Sequence, residues 1–462
     1  MSQPTPPPAR RAAAGASTRW KRVRQYVRNT LTWGRLYRAV SYLRSALWTV
    51  PIVAMAVVLL LALPLRALDE GLDWRVLGLD VAGSQAMFQT VITLTLSFLV
   101  FTFGSLLVAI QIAGGQLTPR IIATMLLRDN VVRGSVGLFV FTLVFAVSAL
   151  NRASESVHDL IALFTAILGV ASIADFLFLI DYAARLLRPV SVLARVGDDG
   201  LVVIESIYPE PATALTREDA ALRIPPQMPS RLVAHQGRSE TVLALDLPTL
   251  LVFARKREGI IEFVPQVGDF VATDEPLFRL YGGAMAIDDH VLRTTVAFGS
   301  ERTLEQDPMF AFRILVDIAL KALSPAINDP TTAVLAIDQL QRLLRVLGKR
   351  QLRGEAIPDD RGQPRVIFRT PNWEDYVHVA CTEIRACGAN SVQIARRLRA
   401  LLENLVRSLP ERRHVALKGE LEALDRTIEK LYSEPEDLAL ARVPDAQGLG
   451  ASSSVRAARR DR

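Results

Sequence analysis

The sequence is poor in cysteine and in charged residues. Of its 462 residues only 2 are cysteine and 22% are charged, whereas 50% are hydrophobic. Cys381 and Cys387 fall in one predicted helix, about 240° apart around its axis, so no disulfide is expected between them. Such sparing use of cysteine fits a reducing compartment. The apolar content excludes both a wholly soluble chain and a largely disordered one.

Acidic residues are missing from the start of the chain. Residues 1–46 contain ten arginines or lysines and no aspartate or glutamate, whereas the net charge of the whole chain is only +7. A basic segment just before an apolar helix is typical of a topology signal or of a contact with anionic lipid headgroups. We therefore expect the lipid bilayer and its headgroups as partners of this basic cytoplasmic tail, and no nucleic acid.

Sequence signatures of enzymes are missing as well. The chain has no glycine-rich nucleotide-binding loop, no His-Glu-x-x-His motif and no Cys-x-x-Cys pair. Its 5 histidines are scattered along the sequence. We therefore expect no enzymatic activity, no cofactor and no metal site.

Long apolar runs are what the sequence has instead. Four of them are long enough to cross a bilayer, which takes about 20 apolar residues. These runs are 47–65, 86–113, 131–150 and 158–187. Arginine is enriched in the tail, in the loop after the second run and after the fourth run, and such segments stay in the cytoplasm. The sequence predicts a four-span transmembrane domain over 47–187 with both termini in the cytoplasm.

The remainder predicts an α+β cytoplasmic region whose first part, 188–300, is rich in strands. Short β-branched runs, including 190–196 and 201–207, are separated there by Pro and Gly. The segment 259–280 resembles half of the barrel-sandwich hybrid fold of biotinyl and lipoyl carrier domains, but it contains no lysine. A small β-barrel-like module without a bound cofactor is therefore expected.

The last part of the cytoplasmic region predicts a helical module over 301–435. Its helices are expected at 308–323, 331–349, 373–387, 391–407 and 411–432. A β-hairpin around Pro358–Gly362 interrupts them. Residues 436–462 are expected to form a disordered tail.

Two polar features fall inside the apolar runs. In the second run, small or polar residues recur on one stripe, namely Thr90, Thr93, Ser97, Gly104 and Gln111. Such a stripe can line a polar pathway, or it can let helices pack closely while each hydroxyl bonds to its own backbone. Asp175 lies within the fourth run, towards its cytoplasmic end. An intramembrane carboxylate is a functional candidate unless it faces headgroups or pairs with an arginine.

The segment Ala322-Leu-Ser-Pro-Ala-Ile-Asn-Asp-Pro-Thr-Thr-Ala333 joins two of the predicted helices. Pro325 stops the first helix, and Asn328 or Asp329 with Pro330 begins the second, so a purely structural role explains the motif. A ligand or subunit contact through Ser324, Asn328 and Asp329 is the alternative.

This motif resembles the signature of a bacterial family of membrane proteins, the domain of unknown function 2254 family. Three further stretches are similar, namely Gln116-Leu-Thr-Pro-Arg120, Pro265-Gln-Val-Gly-Asp-Phe-Val271 and Glu383-Ile-Arg385. The resemblance covers roughly residues 40–435 and implies a multi-pass protein of the bacterial inner membrane. It implies no activity.

From these features we expect an oligomeric channel or transporter with a cytoplasmic sensing domain. Because four helices rarely enclose a pore by themselves, a pathway requires a homo-oligomer. The alternative is a non-transporting membrane scaffold or sensor whose cytoplasmic domain binds partners.

Overall fold

The structure is a computed structural model. It describes residues 33–34, 36–37, 40, 43, 46, 48–71, 78, 80–116, 129–152, 159–186, 188–212, 229–352 and 356–451. Most of the predicted basic tail, 1–46, and the Leu117–Arg120 part of the second family motif lie outside the described residues.

Four long helices form the N-terminal region. They are α1 (Thr49–Gly71), α2 (Val81–Gln116), α3 (Asn130–Arg152) and α4 (Asp159–Leu186). Within the described residues, α2, α3 and α4 are long and apolar enough to cross a membrane, over Val81–Gln111, Asn130–Arg152 and Asp159–Leu186. The apolar part of α1, Thr49–Leu61, is shorter than the roughly 20 residues of a crossing. The prediction of four spans is therefore not confirmed, and Pro64 and Arg66 show in the sequence where the apolar run of α1 breaks.

Small residues and two aromatic-rich clusters hold this region together. A Cβ at Gly137 of α3 would lie 2.5 Å from Val50 Cγ1 of α1, so glycine allows these helices to approach closely. One cluster of buried apolar residues is centred on Phe145 and includes Val58 and Phe88. The other is centred on Phe139, which is fully buried.

The next element corrects a prediction. Residues 190–196 and 201–207, predicted as strands, both lie in one helix, α5 (Pro189–Ile207). Its buried apolar residues are Leu193, Val196, Val203 and Ile204. These positions follow the helical period, which outweighs the β-propensity of the valines and isoleucines.

The strands form two open sheets in place of the predicted barrel-like module. They are β1 (Ser230–Ala234), β2 (Glu240–Leu245), β3 (Gly259–Phe263), β4 (Phe270–Val271), β5 (Pro276–Gly282), β6 (Val296–Gly299), β7 (Ala356–Pro358) and β8 (Pro364–Phe368). The larger sheet has the order β1-β5-β3-β8-β7 and the smaller one β4-β2-β6. The barrel prediction is wrong because β3 and β5 pair with each other in one sheet, whereas the intervening β4 pairs with β2 in the other.

Helices accompany these sheets and continue after them. They are α6 (Leu247–Lys256), α7 (Asp289–Arg293), α8 (Pro308–Ala322), α9 (Pro330–Leu347), α10 (Trp373–Gly388), α11 (Val392–Ser408), α12 (His414–Leu431) and α13 (Pro435–Ala441). The five helices predicted for the helical module agree with α8 to α12, and the predicted hairpin is the antiparallel pair β7–β8. The parallel pair β3–β8 adds this hairpin to the larger sheet.

The described part of the predicted disordered tail differs from the prediction. It contains α13 and then a loop in which Asp445 accepts backbone hydrogen bonds from Gln447, Gly448 and Gly450. Arg396 of α11 is 1% exposed and donates to the carbonyl oxygens of Val443, Gly450 and Ala451. Residues 452–462 lie outside the described residues.

The chain forms two compact units that are interleaved in sequence. One comprises Met1–Ser41, Asp199–Ala311 and Arg345–Tyr376, and contains both sheets. The other comprises Tyr42–Asp198, Phe312–Leu344 and Val377–Arg462, and contains the membrane helices and most of the later helices. We call them the sheet unit and the helical unit.

Candidate functional site

The stripe predicted on α2 lies on the exposed side of that helix. Thr90, Thr93, Ser97, Gly104 and Gln111 are all exposed in the chain. The three hydroxyl groups of the stripe each donate to the carbonyl oxygen four residues earlier, at 2.8, 2.9 and 2.8 Å. The helix itself therefore satisfies these hydroxyls, and the stripe needs no polar neighbour.

Asp175 lies inside the bundle, between α3 and α4. It is half-buried, and its carboxylate has the buried hydroxyl of Ser135 as a hydrogen-bond partner. Its Oδ2 atom is buried and has no hydrogen-bond partner among the described residues. The predicted alternative, an arginine partner, is therefore not seen within the part of the chain that the structure describes.

A second polar contact joins the same two helices. Ser172 Oγ of α4 donates to Thr142 Oγ1 of α3 at 3.1 Å, and both side chains are fully buried. Ser172 is one helical turn from Asp175, and Thr142 is two turns from Ser135, so both contacts lie on the facing sides of α3 and α4.

A third contact closes the end of the bundle where α3 begins and α4 ends. Asp129 precedes α3 and accepts hydrogen bonds from the backbone N–H groups of Val131 and Val132. Its Oδ2 accepts the hydroxyl of Tyr182 of α4 at 2.7 Å and pairs with Arg195 of α5 at 2.7 Å. Burial opposes the charge of Asp129, but the bonds from Tyr182 and Arg195 outweigh it and hold the pKa below its usual value.

These three contacts form a line that we call the polar ladder. Its members, from the N-terminal end of α3, are Asp129 with Tyr182, Ser135 with Asp175, and Thr142 with Ser172. Along α4 the first interval is seven residues, about 10 Å, and the second is three residues, about 5 Å. The ladder therefore reaches from the end of the bundle where α3 begins into its apolar interior.

Sequence reasoning identified Asp175 but missed the other members of the ladder. Ser135 and Thr142 have the same heptad spacing as the residues chosen on α2, and so do Asp175 and Tyr182. The spacing alone does not say which helix faces protein, so the exposed stripe and the buried ladder look alike in sequence.

The family signature forms a tight turn between α8 and α9. Ser324 Oγ donates to the carbonyl oxygen of Lys321 at 2.7 Å, and Asn328 has a positive φ of 48°. Asp329 caps α9 by accepting the backbone N–H and the hydroxyl of Thr332. These contacts account structurally for the three residues singled out in the sequence.

The same turn is attached to the end of α2. Lys321 Nζ donates to the carbonyl oxygen of Gly114 at 3.0 Å. The carbonyl groups at a helix C-terminus lack partners within the helix, and a lysine there also complements the helix dipole. The signature thus connects the helices α8 and α9 to the C-terminal end of α2.

The other family motifs also make structural contacts. Glu383 of α10 binds Arg313 of α8, with one Oε2 to Nη2 distance of 3.0 Å, and Arg385 binds Glu420 of α12 at 3.2 Å. Gly268 has a φ of 96°, and a Cβ there would lie 2.1 Å from Arg302 Nη2, so only glycine fits.

Metal ligands do not cluster in the described part of the chain. No group of three His, Cys, Asp or Glu side chains among the described residues could hold a metal ion. Asp289, at the start of α7 in the sheet unit, is paired with Arg231 and Arg293.

Three long apolar helices followed by an α+β region with open sheets define the class, a membrane protein with a large part outside the spans. The chain belongs to the family of predicted membrane proteins that carry the domain of unknown function 2254, whose model matches residues 44–404. The resemblance noted in the sequence is thereby confirmed.

Relatives of the chain occur in mycobacteria. Uncharacterised proteins of Mycobacterium bovis and of Mycobacterium tuberculosis are each 26% identical to it over 427 residues. The matched segment covers 87% of this chain and 80% of each relative. No solved structure shows a significant match.

Proposed function

We propose that this protein is a homo-oligomeric channel or transporter for protons or small cations, with Asp175 as the charge-bearing group in its pathway. It lies in the bacterial inner membrane as a multi-pass protein with both termini in the cytoplasm. The part outside the spans acts as a sensing domain, and the protein catalyses no reaction. The partners are a second copy of the chain and anionic lipids at the basic tail.

The observation that carries this proposal is the unpartnered Oδ2 of Asp175 in the interior of the bundle. An acidic side chain in a spanning helix costs up to about 2.5–3.5 kcal/mol, the value at the helix centre, and such residues face the bundle interior and mark ion or proton pathways. Because this carboxylate has no arginine or lysine partner among the described residues, it is available to bind a passing proton or cation.

The hydroxyls of the polar ladder extend the pathway on both sides of Asp175. A serine or threonine hydroxyl both donates and accepts, so it can replace a water ligand of a cation or hand on a proton. Near the cytoplasm, the hydroxyl of Tyr182 and the carboxylate of Asp129 continue this line of polar groups. Tyr182 donates to Asp129, and Arg195 donates to Tyr182 and holds it in place. Both termini lie in the cytoplasm only if α1 crosses as well, and a bundle of four helices rarely encloses a pore by itself, so symmetry between copies completes the pathway.

The decisive experiment measures flux through purified protein in liposomes under an imposed proton, K⁺ or Na⁺ gradient. Asp175→Asn keeps the shape of the side chain and removes its charge. We expect it to lower the flux by at least about tenfold, because the carboxylate supplies the attraction for the ion in a low-dielectric site.

Asp181→Asn is the matched control for this experiment. Asp181 lies on the same helix but is exposed, and it pairs with Arg185 one turn away. Exposed pairs of this kind contribute little, so this variant should conduct within about twofold of wild type. Wild-type liposomes that pass none of the three ions, or equal effects of the two variants, would refute the proposal.

A scaffold or sensor without transport is the second candidate, and one observation favours it. All three hydroxyls of the α2 stripe are satisfied within their own helix, which is what a close-packing surface requires. In this case the stripe contacts a helix of another copy. Ser97→Leu should then disrupt self-association, measured by cross-linking in native membranes, and neither wild type nor variant should conduct ions in liposomes.

A further inference from the structure

The polar ladder ends at a carboxylate whose acceptor sites are all occupied. Asp129 is 4% exposed, and each of its two oxygens accepts two donors from the described residues. An ionised carboxylate has about four such sites. Asp175, about 10 Å further along the ladder, keeps one oxygen without a partner within the described residues. The end of the ladder is therefore saturated, whereas its middle can still take a cation or a proton.

Arg195 of α5 supplies one of these contacts and lies where a cation would bind. Its Nη2 is 2.7 Å from Oδ2 of Asp129 and donates to the hydroxyl of Tyr182 at 3.2 Å. In this position the guanidinium occupies an acceptor site that a passing cation needs, and a fixed arginine is an electrostatic barrier to cations in a pore. Because its side chain is 32% exposed, Arg195 can leave for solvent, whereas Asp129 is held by backbone N–H groups of α3.

Helix α5 is attached to α9 close to this arginine. Arg342 of α9 pairs with Asp198 of α5 at 2.7 Å. Gly197 lies so near to α9 that a Cβ there would be 2.3 Å from Gln339 Oε1. Asp198 is about one helical turn from Arg195, so a shift of α5 at its contact with α9 also moves the guanidinium. The chain enters the sheet unit directly after Asp198.

We propose that Arg195 is the gate of the pathway. Paired with Asp129, it closes this end of the ladder, and a movement of α5 against α9 that withdraws the guanidinium opens it. The inference rests on the proposed transport and names the element through which the sensing domain acts on it. A purely structural ion pair is the alternative, and it predicts the opposite result: loss of the gate raises the flux, whereas loss of a structural pair lowers it.

The test measures cation flux in the liposomes used for Asp175→Asn. Arg195→Gln removes the charge and frees an acceptor site on Asp129. We expect about tenfold higher flux than wild type, since one unit of charge about 10 Å from Asp175 changes the energy of a cation there by about this factor. Arg185→Gln is the matched control, because this arginine lies in the last turn of α4 but is 66% exposed and pairs with Asp181. It should conduct within about twofold of wild type.

Two further variants separate a gate from a leak and from a folding defect. The double variant Asp175→Asn/Arg195→Gln should conduct no more than Asp175→Asn, because ions that enter still need the carboxylate in the middle of the ladder. Arg342→Gln breaks an exposed pair with Asp198, which contributes little to stability. It should raise the flux about two- to fivefold by loosening α5 from α9.

Three results would count against the gate. An Asp175-dependent flux that neither Arg195→Gln nor Arg342→Gln raises would overturn it and leave the proposed transport intact. A raised flux that persists in the double variant would mark a leak outside the ladder and overturn it as well. If neither wild type nor Arg195→Gln conducts, the proposed transport fails and the gate fails with it.

Discussion

Asp307 is the single residue whose charge state should affect stability most visibly. It is 5% exposed, accepts the backbone N–H of Phe310 at the start of α8, and lies 3.3 Å from Arg302 Nε. Burial raises its pKa to about 6, although the charge of Arg302 favours the carboxylate and partly offsets this increase. The native state therefore retains a proton that the unfolded chain releases above its own pKa of 3.8. This contribution to stability is fully present below pH 3.8 and is lost as the pH rises through 6.

We predict that Asp307→Asn removes this pH dependence, because asparagine keeps the helix cap without the titratable proton. Wild type should lose about 2.5 kcal/mol relative to the variant between pH 4 and 7, from the difference between the native and unfolded pKa. Thermal unfolding of both proteins in detergent across this range measures it. The prediction fails if the difference between their unfolding midpoints does not change with pH.

At the scale of helices, the membrane region has two kinds of serine, and they should respond oppositely to the same substitution. Ser97 of α2 is exposed and bonded to its own helix, whereas Ser172 of α4 is fully buried against Thr142. Ser172→Leu should destabilise the bundle by about 1–3 kcal/mol through overpacking, and Ser97→Leu should change its stability by less than about 0.5 kcal/mol. Unfolding of the purified variants in detergent tests this, and equal destabilisation would show that the face of α2 that carries Ser97 is buried too.

Much of the helical part of the fold could be predicted from sequence, and the reasons for the failures are specific. Helices α8 to α12 are long and amphipathic, so their period is clear, and Pro308 and Pro330 mark two of their starts. The sequence of α5 contains short valine-rich runs, and their local β-propensity predicted strands. The spacing of its buried residues over the whole segment follows the helical period, and this spacing decides the structure. The prediction of a barrel-like module was wrong because tertiary contacts decide which strand pairs with a two-residue strand such as β4. The polar ladder was missed because its partners lie on different helices.

At the scale of the whole molecule, the proposed transport and sensing roles depend on the predicted orientation of the protein in the membrane. Both cysteines are free; Cys387 is exposed, whereas Cys381 is buried, and burial raises the pKa of its thiol and makes it unreactive. A membrane-impermeant maleimide should therefore label one thiol per chain, Cys387, in inverted vesicles and none in intact spheroplasts.

The control for orientation places a cysteine at the other end of the membrane region. Ala82→Cys, at the exposed start of α2, in a Cys387→Ser background, should give the reverse pattern and be labelled in intact spheroplasts. Labelling of Cys387 from outside intact spheroplasts would contradict the cytoplasmic location of both termini.

The interleaving of the two units has a consequence for how the protein is made. Ribosomes deliver the N-terminal part first, yet the sheet unit needs residues up to Tyr376 and the helical unit needs segments that follow Ala311. Strand β3 pairs with β8, which is synthesised about a hundred residues later, so the larger sheet stays incomplete while the spans are already being inserted. Nascent chains that stall before residue 364 should expose the open edge of β3 to chaperones and proteases. A fragment that ends at Ala311 should therefore be degraded faster than the full-length chain.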